Sequence, residues 1–430
     1  MPEIDYRIDK YFSIWALFLP ITSVLLIPSV QGTTPGYLMA FLSLIFVPFL
    51  TKHKSKGTQF YYFFFLIIFI YVFVLLCSQL ALSFSKTLDF SNVILIDPFD
   101  KTYLFKKTMF TQSLYVIAVF ATFAYVRTFY NNKWDKYLLG GAVLLVLYGF
   151  YDFLYFFFTH TSGDFLTNRT FRFGEGSAIQ RKYIGSFLVM RFKSLTGEPS
   201  MYALTAIPFW LYAAQKKKKI ISSLLFISLF LSLSTTAFLA FFIVFLSKLR
   251  NITKNHLFLY CVSFIVIISF IFIGLEKIYN FIYEFVIIKL QAEDNSGMIR
   301  ANNFKNHIEF FSNMSLFNQL FGVGFGYVRS TDMFTTLLIN TGIIGFTLFT
   351  FLFFYPIIRL DKSERSSNLK LILFILYVVM MVSVPEYAYL STWLFLGMGY
   401  NQIIKNKQYN TLIKKDRRIT YTYVNNGNYL

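Results

Sequence analysis

The sequence predicts an all-α polytopic membrane protein of about twelve spans, and three features lead there. Of 430 residues, 56% are hydrophobic and 21% aromatic, which leaves too little polar surface to cover a soluble globule of this size. Apolar runs of about 15 to 23 residues recur along the whole chain. The short loops between them sort by charge, as topology in a bilayer requires.

Taken in order, the runs place spans at 11–30, 36–50, 60–82, 108–128, 137–159, 200–214, 220–234, 235–249, 256–274, 333–356, 369–385 and 388–404. The first, from Tyr11, is followed by many of equal length and is expected to be a span in its own right, not a cleaved signal. With the N-terminus inside, "TKHKSKGTQ", "NNKWDK", "KKKK", "SKLRNITK" and "RLDKSERSSNLK" all fall on the inner side, as does the tail 405–430 with "KKDRR". Both termini are then cytoplasmic. The stretch 220–249 is long enough for one tilted helix, but a single helix would put "KKKK" and "SKLRNITK" on opposite sides. A turn at "SLSTT", Ser232 to Thr236, keeps both inside, and its small hydroxyl residues also suit helix packing.

The chain reads as one polytopic domain, 1–430, with three long outer loops at 83–107, 160–199 and 275–332. Long polar loops between short connections are where binding and catalysis concentrate. The formal charge of +19 comes from basic residues flanking spans, and no nucleic-acid module interrupts the apolar pattern, so nucleic acid is not expected as a partner. Cys77 and Cys261 lie inside apolar runs, and His53, His160, His256 and His307 lack zinc-binding spacing, so no metal and no cofactor are expected.

Loop 160–199 carries Arg169, Arg172, Arg181, Lys182, Arg191 and Lys193 against Asp164, Glu175 and Glu198. Six cations at a membrane surface suit an anion presented there, such as a lipid-linked phosphate or diphosphate. Glu198 precedes Pro199, which favours the first position of a helix. Two readings stay open: a carboxylate stabilised by the helix dipole, or a positioned base at the membrane boundary. In loop 275–332, "NSGMIRANNF" sets Arg300 on a helix, where it is either solvated and paired or functional. "LFGVGFGYVRSTDMF" follows, with Gly322, Gly324 and Gly326 at alternate positions, where backbone can approach a ligand closely. Arg329 and Asp332 stand at the entry to the next span.

"RFKSLTGEPSMYA" entering a span, "SLSTTAFLAFF", "SGMIRANNF" and "LFGVGFGYVRSTDMFTTLLINTGIIGF", in that order, resemble the O-antigen polymerase (Wzy) family of bacterial inner membranes, within the group that also holds the O-antigen ligases. The motifs cover about 190 to 350 and the topology the whole chain. The resemblance implies a GT-C-like membrane glycosyltransferase with large periplasmic loops, needing neither metal nor nucleotide. It would move a growing chain from undecaprenyl diphosphate to the non-reducing end of a new lipid-linked repeat unit. The implied partners are the lipid-linked donor and acceptor, the bilayer, a chain-length regulator and the repeat-unit flippase. The implied catalytic residues are Arg191, Arg300 and a base, Glu198 or else Asp332. The expected substrate-binding residues are Arg169, Arg172, Arg181, Lys193, Gly324 and Arg329. Where the related ligases tend to carry a histidine before the last core span, this chain reads "RSTDMF", and it departs from the spaced Arg/Gly repeats of some polymerases. An O-antigen ligase shares the same donor. A lipid-linked sugar flippase would instead bury ionisable residues mid-membrane, where this chain has only Asp152.

Overall fold

The computed structural model describes residues 6–28, 30–85, 88–169, 180–184, 187–249 and 295–426, with backbone alone at 182–184, 187–188, 249, 295–296, 409–410 and 412–426. Within them the chain is helical apart from one short antiparallel hairpin, β1 (Arg181–Ile184) and β2 (Phe187–Met190). The helices are α1 (Tyr6–Phe18), α2 (Pro35–Leu50), α3 (Lys54–Phe84), α4 (Lys107–Phe129), α5 (Asp135–Thr159), α6 (Pro199–Gln215), α7 (Lys219–Leu231) and α8 (Thr235–Leu249). After these come α9 (Asn295–Ser312), α10 (Leu316–Phe321), α11 (Met333–Arg359), α12 (Glu364–Ser383) and α13 (Leu390–Asn426).

Eleven of the twelve expected spans have a helical counterpart, and the twelfth, 256–274, lies outside the described residues. Five described helices are long and apolar enough to cross a membrane: α3, α4, α5 with the turn before it, α11 and α12. This is the architecture of an all-α membrane protein. On α3 the large side chains Tyr62, Phe65, Phe69, Phe73 and Leu80 stay exposed, as a lipid-facing helix requires. By contrast α4, α6, α12 and α13 pack together in the centre, where Phe123, Tyr202, Phe209, Leu376 and Leu394 are fully buried.

Three elements depart from the expected spans. Helix α1 ends at Phe18 instead of running to residue 30. Pro20 has no N–H and pushes Leu19 out of helical geometry, after which the Thr22 and Ser23 amides donate to the Leu195 carbonyl, both at 3.1 Å. The tail expected from 405 is continuous with the last apolar helix, as α13 runs unbroken to Asn426. The segment 220–249 does break in two, at Ser232 to Ser234, with Leu233 at φ 47°. Ser228, Ser232, Ser234 and Thr236 are buried there, and Thr236 shares a 3.0 Å hydrogen bond with Ser383 of α12.

The glycine-rich stretch before α11 is packed by its own surroundings. Gly322, Gly324 and Gly326 all have positive φ, and the Val323 and Gly324 amides donate to the Ile339 and Asn340 carbonyls, both at 2.9 Å. These bonds run where α11 is interrupted, at Gly342 with φ 66°. The amides thus satisfy carbonyls that the interruption frees, as broken membrane helices need. Asn340 closes the motif by accepting from the Val328 amide at 2.9 Å and donating to its carbonyl at 2.6 Å. The loop 88–106 docks on the same stretch through a bridge between Leu95 and Val328.

A Cβ at Gly342 would sit 2.3 Å from the backbone of Leu320, in a conformation that L residues avoid. Gly342→Ala is therefore expected to lower the melting temperature of the purified protein by several degrees, a cost of about 2 kcal/mol or more. Gly140→Ala, whose Cβ would meet Leu17 at an ordinary 3.6 Å, is expected to leave it unchanged.

Candidate functional site

The segment from Met190 to Pro199 crosses one end of the helical core almost entirely buried. Phe192 is its anchor. Its ring lies 4.9 Å from that of Tyr202 and fills the space above Gly149, where a Cβ would come within 2.3 Å of it. Beside it Lys193 is fully buried, with its ammonium 2.7 Å from Asp164 and 3.8 Å from Asp152. Burial pushes the Asp164 carboxyl up, but the Lys193 charge and the Thr167 amide outweigh it and hold it below its usual range. Asp152, the one acid inside an expected span, also accepts from Ser162 and from the Gly163 amide at 2.9 Å. The expectation that Lys193 binds substrate therefore meets a different arrangement: its charge is matched by two carboxylates and closed off from solvent.

Arg191, two residues earlier, is held in another way. Its guanidinium donates to the Ser232 carbonyl at 3.2 Å, the Leu233 carbonyl at 3.1 Å and the Gln180 side chain at 2.7 Å. The two carbonyls come from the break between α7 and α8. Burial, and the like charge of Arg300, push Arg191 down to about 10 despite the opposing charge of Glu198. Carbonyl dipoles orient the cation but do not cancel it.

Glu198 occupies the N-cap of α6 with extended backbone (φ −134°, ψ 150°), and Pro199 follows at the first helical position. Its carboxylate makes no capping hydrogen bond. It lies instead within electrostatic reach of Arg191, Arg329 and Tyr389. Asp332 has the opposite fate. It caps α11, accepting from the Thr335 amide at 2.8 Å, the Thr335 hydroxyl at 3.0 Å and the Ser330 hydroxyl at 3.0 Å, and it is 5% exposed. Its oxygens are occupied by the helix start, which suits a structural cap better than a base.

Around Glu198 the structure brings four arginines together. Arg300 reaches from α9 to the Ser383 carbonyl at 3.4 Å. Arg329 pairs with Glu386, whose charge raises the guanidinium above its usual value against the effect of burial. Arg169 donates to the Thr22 carbonyl at 3.1 Å and acts electrostatically on Tyr389. Tyr389, just before α13, is buried, and burial with the nearby Glu386 charge raises its phenol well above the usual range. Among the described residues, Arg169, Arg191, Arg300 and Arg329 share this region with Glu198, Glu386 and the capping Asp332. Such a set can grip a multiply charged anion while a carboxylate stands beside it.

Two other expected residues lie apart from it. Arg181 is exposed on β1 with its guanidinium 5.6 Å from the Phe156 ring centre. Gly324 presents its backbone to Gln79, whose amide donates to the Val323 carbonyl at 2.8 Å, so the close approach serves packing instead of a ligand. Arg172 lies outside the described residues. In turn, Glu386 and Tyr389 belong to the cluster although the sequence offered only a Pro-Glu pair and a run of tyrosines in "VPEYAYLS". No family model, no characterised protein and no solved structure matches this chain.

Lys193→Met leaves two carboxylates without their cation and is expected to destabilise the protein by about 3 to 5 kcal/mol, seen as a drop in melting temperature. Lys193→Met combined with Asp164→Asn removes charge from both sides and is expected to recover part of that loss. Equal melting of the single and double variants would refute the pairing.

Proposed function

We propose that the chain is an O-antigen polymerase, which transfers a growing oligosaccharide from undecaprenyl diphosphate to a hydroxyl at the non-reducing end of a second lipid-linked unit. The observation that carries this reading is the arginine cluster around Glu198, at the end of the apolar helices. A diphosphate leaving group carries its own activation, and its departure is helped by cations held in place beforehand. Arg191, Arg300 and Arg329 are the groups for the diphosphate oxygens, with Arg169 at the edge near Thr22.

In the proposed step the acceptor hydroxyl oxygen bonds to the anomeric carbon and the bond from that carbon to the diphosphate oxygen breaks. The hydroxyl proton passes to Glu198, and undecaprenyl diphosphate departs on the arginines. Glu198 suits the role because its oxygens are not taken up in capping α6. A cavity of about 640 Å³ beyond the cluster supports a glycan substrate: it is lined by Asp89, Asn92, Asn306, Glu309, Phe310 and Asn313, among others. Amides, carboxylates and an aromatic face are suitable partners for sugar hydroxyls and rings. Asn306 is six residues along α9 from Arg300, a rise of about 9 Å. The assignment implies an inner membrane location, with the cluster facing the periplasm and a chain-length regulator and flippase nearby.

Purified protein in liposomes, given only its own undecaprenyl-diphosphate repeat units, is expected to produce a ladder of polymers without added nucleotide or metal. Arg300→Ala is expected to slow the ladder about 10- to 100-fold through one lost charge-assisted bond. Glu198→Gln is expected to slow it about 100-fold or more, and Asp332→Asn to cost stability more than rate per folded molecule. No ladder from folded wild-type protein with its authentic substrate would overturn the assignment.

A further inference from the structure

The four central helices carry a second polar cluster at their other end. Along α4 the chain runs from Lys107 to Phe129, along α6 from Pro199 to Gln215 and along α12 from Glu364 to Ser383, so about 25 to 35 Å separates the two ends. At the second end Tyr130 is the hub. Its hydroxyl and that of Tyr212 both lie 2.6 Å from Asp135, whose other oxygen is 2.6 Å from Lys216. Asp135 is thereby fully engaged. The other nearby acid, Asp9, accepts from the Trp134 indole at 2.7 Å and from Asn131 at 2.5 Å.

Among the described residues, no carboxylate pairs with the remaining cations. Arg365 donates to the Tyr130 hydroxyl at 3.3 Å and Lys405 to the Tyr130 carbonyl at 2.9 Å, and both also stand over the Tyr130 ring. Arg127 stacks 3.8 Å from the centre of the Phe63 ring. Lys405 feels the like charges of Arg365 and Lys56. Buried beside these groups, Arg127 Nε, Arg365 Nε and Asn406 Nδ2 have no hydrogen-bond partner among the described residues. Among the described residues, Lys216 pairs with Asp135 while Lys56, Arg127, Arg365 and Lys405 make no ion pair, and buried donors remain unpaired beside them. Buried donors and cations left without partners are costly, so a bound anion stabilises them.

We infer that this end of the bundle, between α4, α12 and α13, is a binding site for a phosphate-bearing anion of the kind displayed by an anionic phospholipid headgroup. Basic pockets between membrane helices take such headgroups, and the aromatic faces of Phe63 and Tyr130 lie where the apolar helices end. The site is separate from the arginine cluster and stands whether or not the polymerase reading holds.

The test is binding, not activity. Delipidated protein in neutral detergent is titrated with phosphatidylglycerol, phosphatidylcholine and soluble glycerol 1-phosphate, followed by melting temperature and native mass spectrometry. Phosphatidylglycerol is expected to raise the melting temperature and stay bound, and phosphatidylcholine to do neither. Stabilisation by glycerol 1-phosphate would show that the site takes the free headgroup anion; its absence beside a positive phosphatidylglycerol response would show that the acyl chains contribute. Arg365→Gln and Lys405→Gln are each expected to weaken the phosphatidylglycerol response at least about tenfold, whereas Lys362→Gln, an exposed charge on the adjacent loop, leaves it unchanged. Because a variant can fail to fold, a photoactivatable phosphatidylglycerol is also applied to wild-type protein and is expected to label α4 near Tyr130 or α13 near Lys405. Equal responses to the two lipids, equal weakening by Lys362→Gln, or labelling confined to other helices would each overturn the assignment.

Discussion

The end of the bundle that carries Glu198 depends on one buried ammonium. Lys193, clamped between Asp164 and Asp152, ties the segment that precedes α6 to α5 and to the loop after it. A charge so placed is stable only while its partners stay in register, because stripping water from an ion costs several kcal/mol that only close pairing offsets. The pairing fixes the backbone on both sides. Phe192 is seated over Gly149 one residue before, and the Leu195 carbonyl receives two amides from the chain after α1 two residues later. The segment that carries Arg191 and Glu198 is thus anchored at three successive points between those two side chains.

A second constraint works from the far side of the cluster. The interruption of α11 at Gly342 leaves carbonyls that the glycine-rich stretch must satisfy, and this sets Arg329 and Asp332 at the entrance of that helix. Asp332 is consumed as the cap, and Arg329 projects towards Glu386. The two halves of the site therefore owe their positions to two different devices, an ion pair under one and a broken helix under the other.

Much of this was legible in the sequence. Apolar run length located eleven helices because lipid allows few alternatives to a backbone bonded within its own segment. Parity of the basic loops divided 220–249 correctly, since charge reports sidedness independently of helix propensity. Residue type also singled out Arg169, Arg191, Arg300, Arg329 and Glu198, which gather in one place. What composition could not separate was a cation that is neutralised from one that is merely held. Lys193 and Arg191 look alike in "RFKSL", yet the partners that distinguish them, Asp152, Asp164 and the carbonyls of Ser232 and Leu233, come from other elements. Gly324 misled for a related reason: a glycine that permits close approach does not say what approaches, and here it is Gln79.

That distinction between neutralised and held cations organises the site around Glu198. A carboxylate cancels the charge of Lys193, and burial then removes it from use. Carbonyl oxygens bring only dipoles, so Arg191 keeps its full charge in a fixed direction while burial and Arg300 make that charge costly to maintain. Arg329 has a carboxylate in direct contact, from Glu386, and about half of its side chain remains exposed. Arg191 and Arg300 repel one another, and a multiply charged anion entering beside them relieves that repulsion. Preorganisation of this kind spares the protein from reorienting its dipoles as negative charge develops on a leaving group. Under the proposed function, the costly burial of charge at the mouth of an apolar bundle becomes the feature that a departing diphosphate uses.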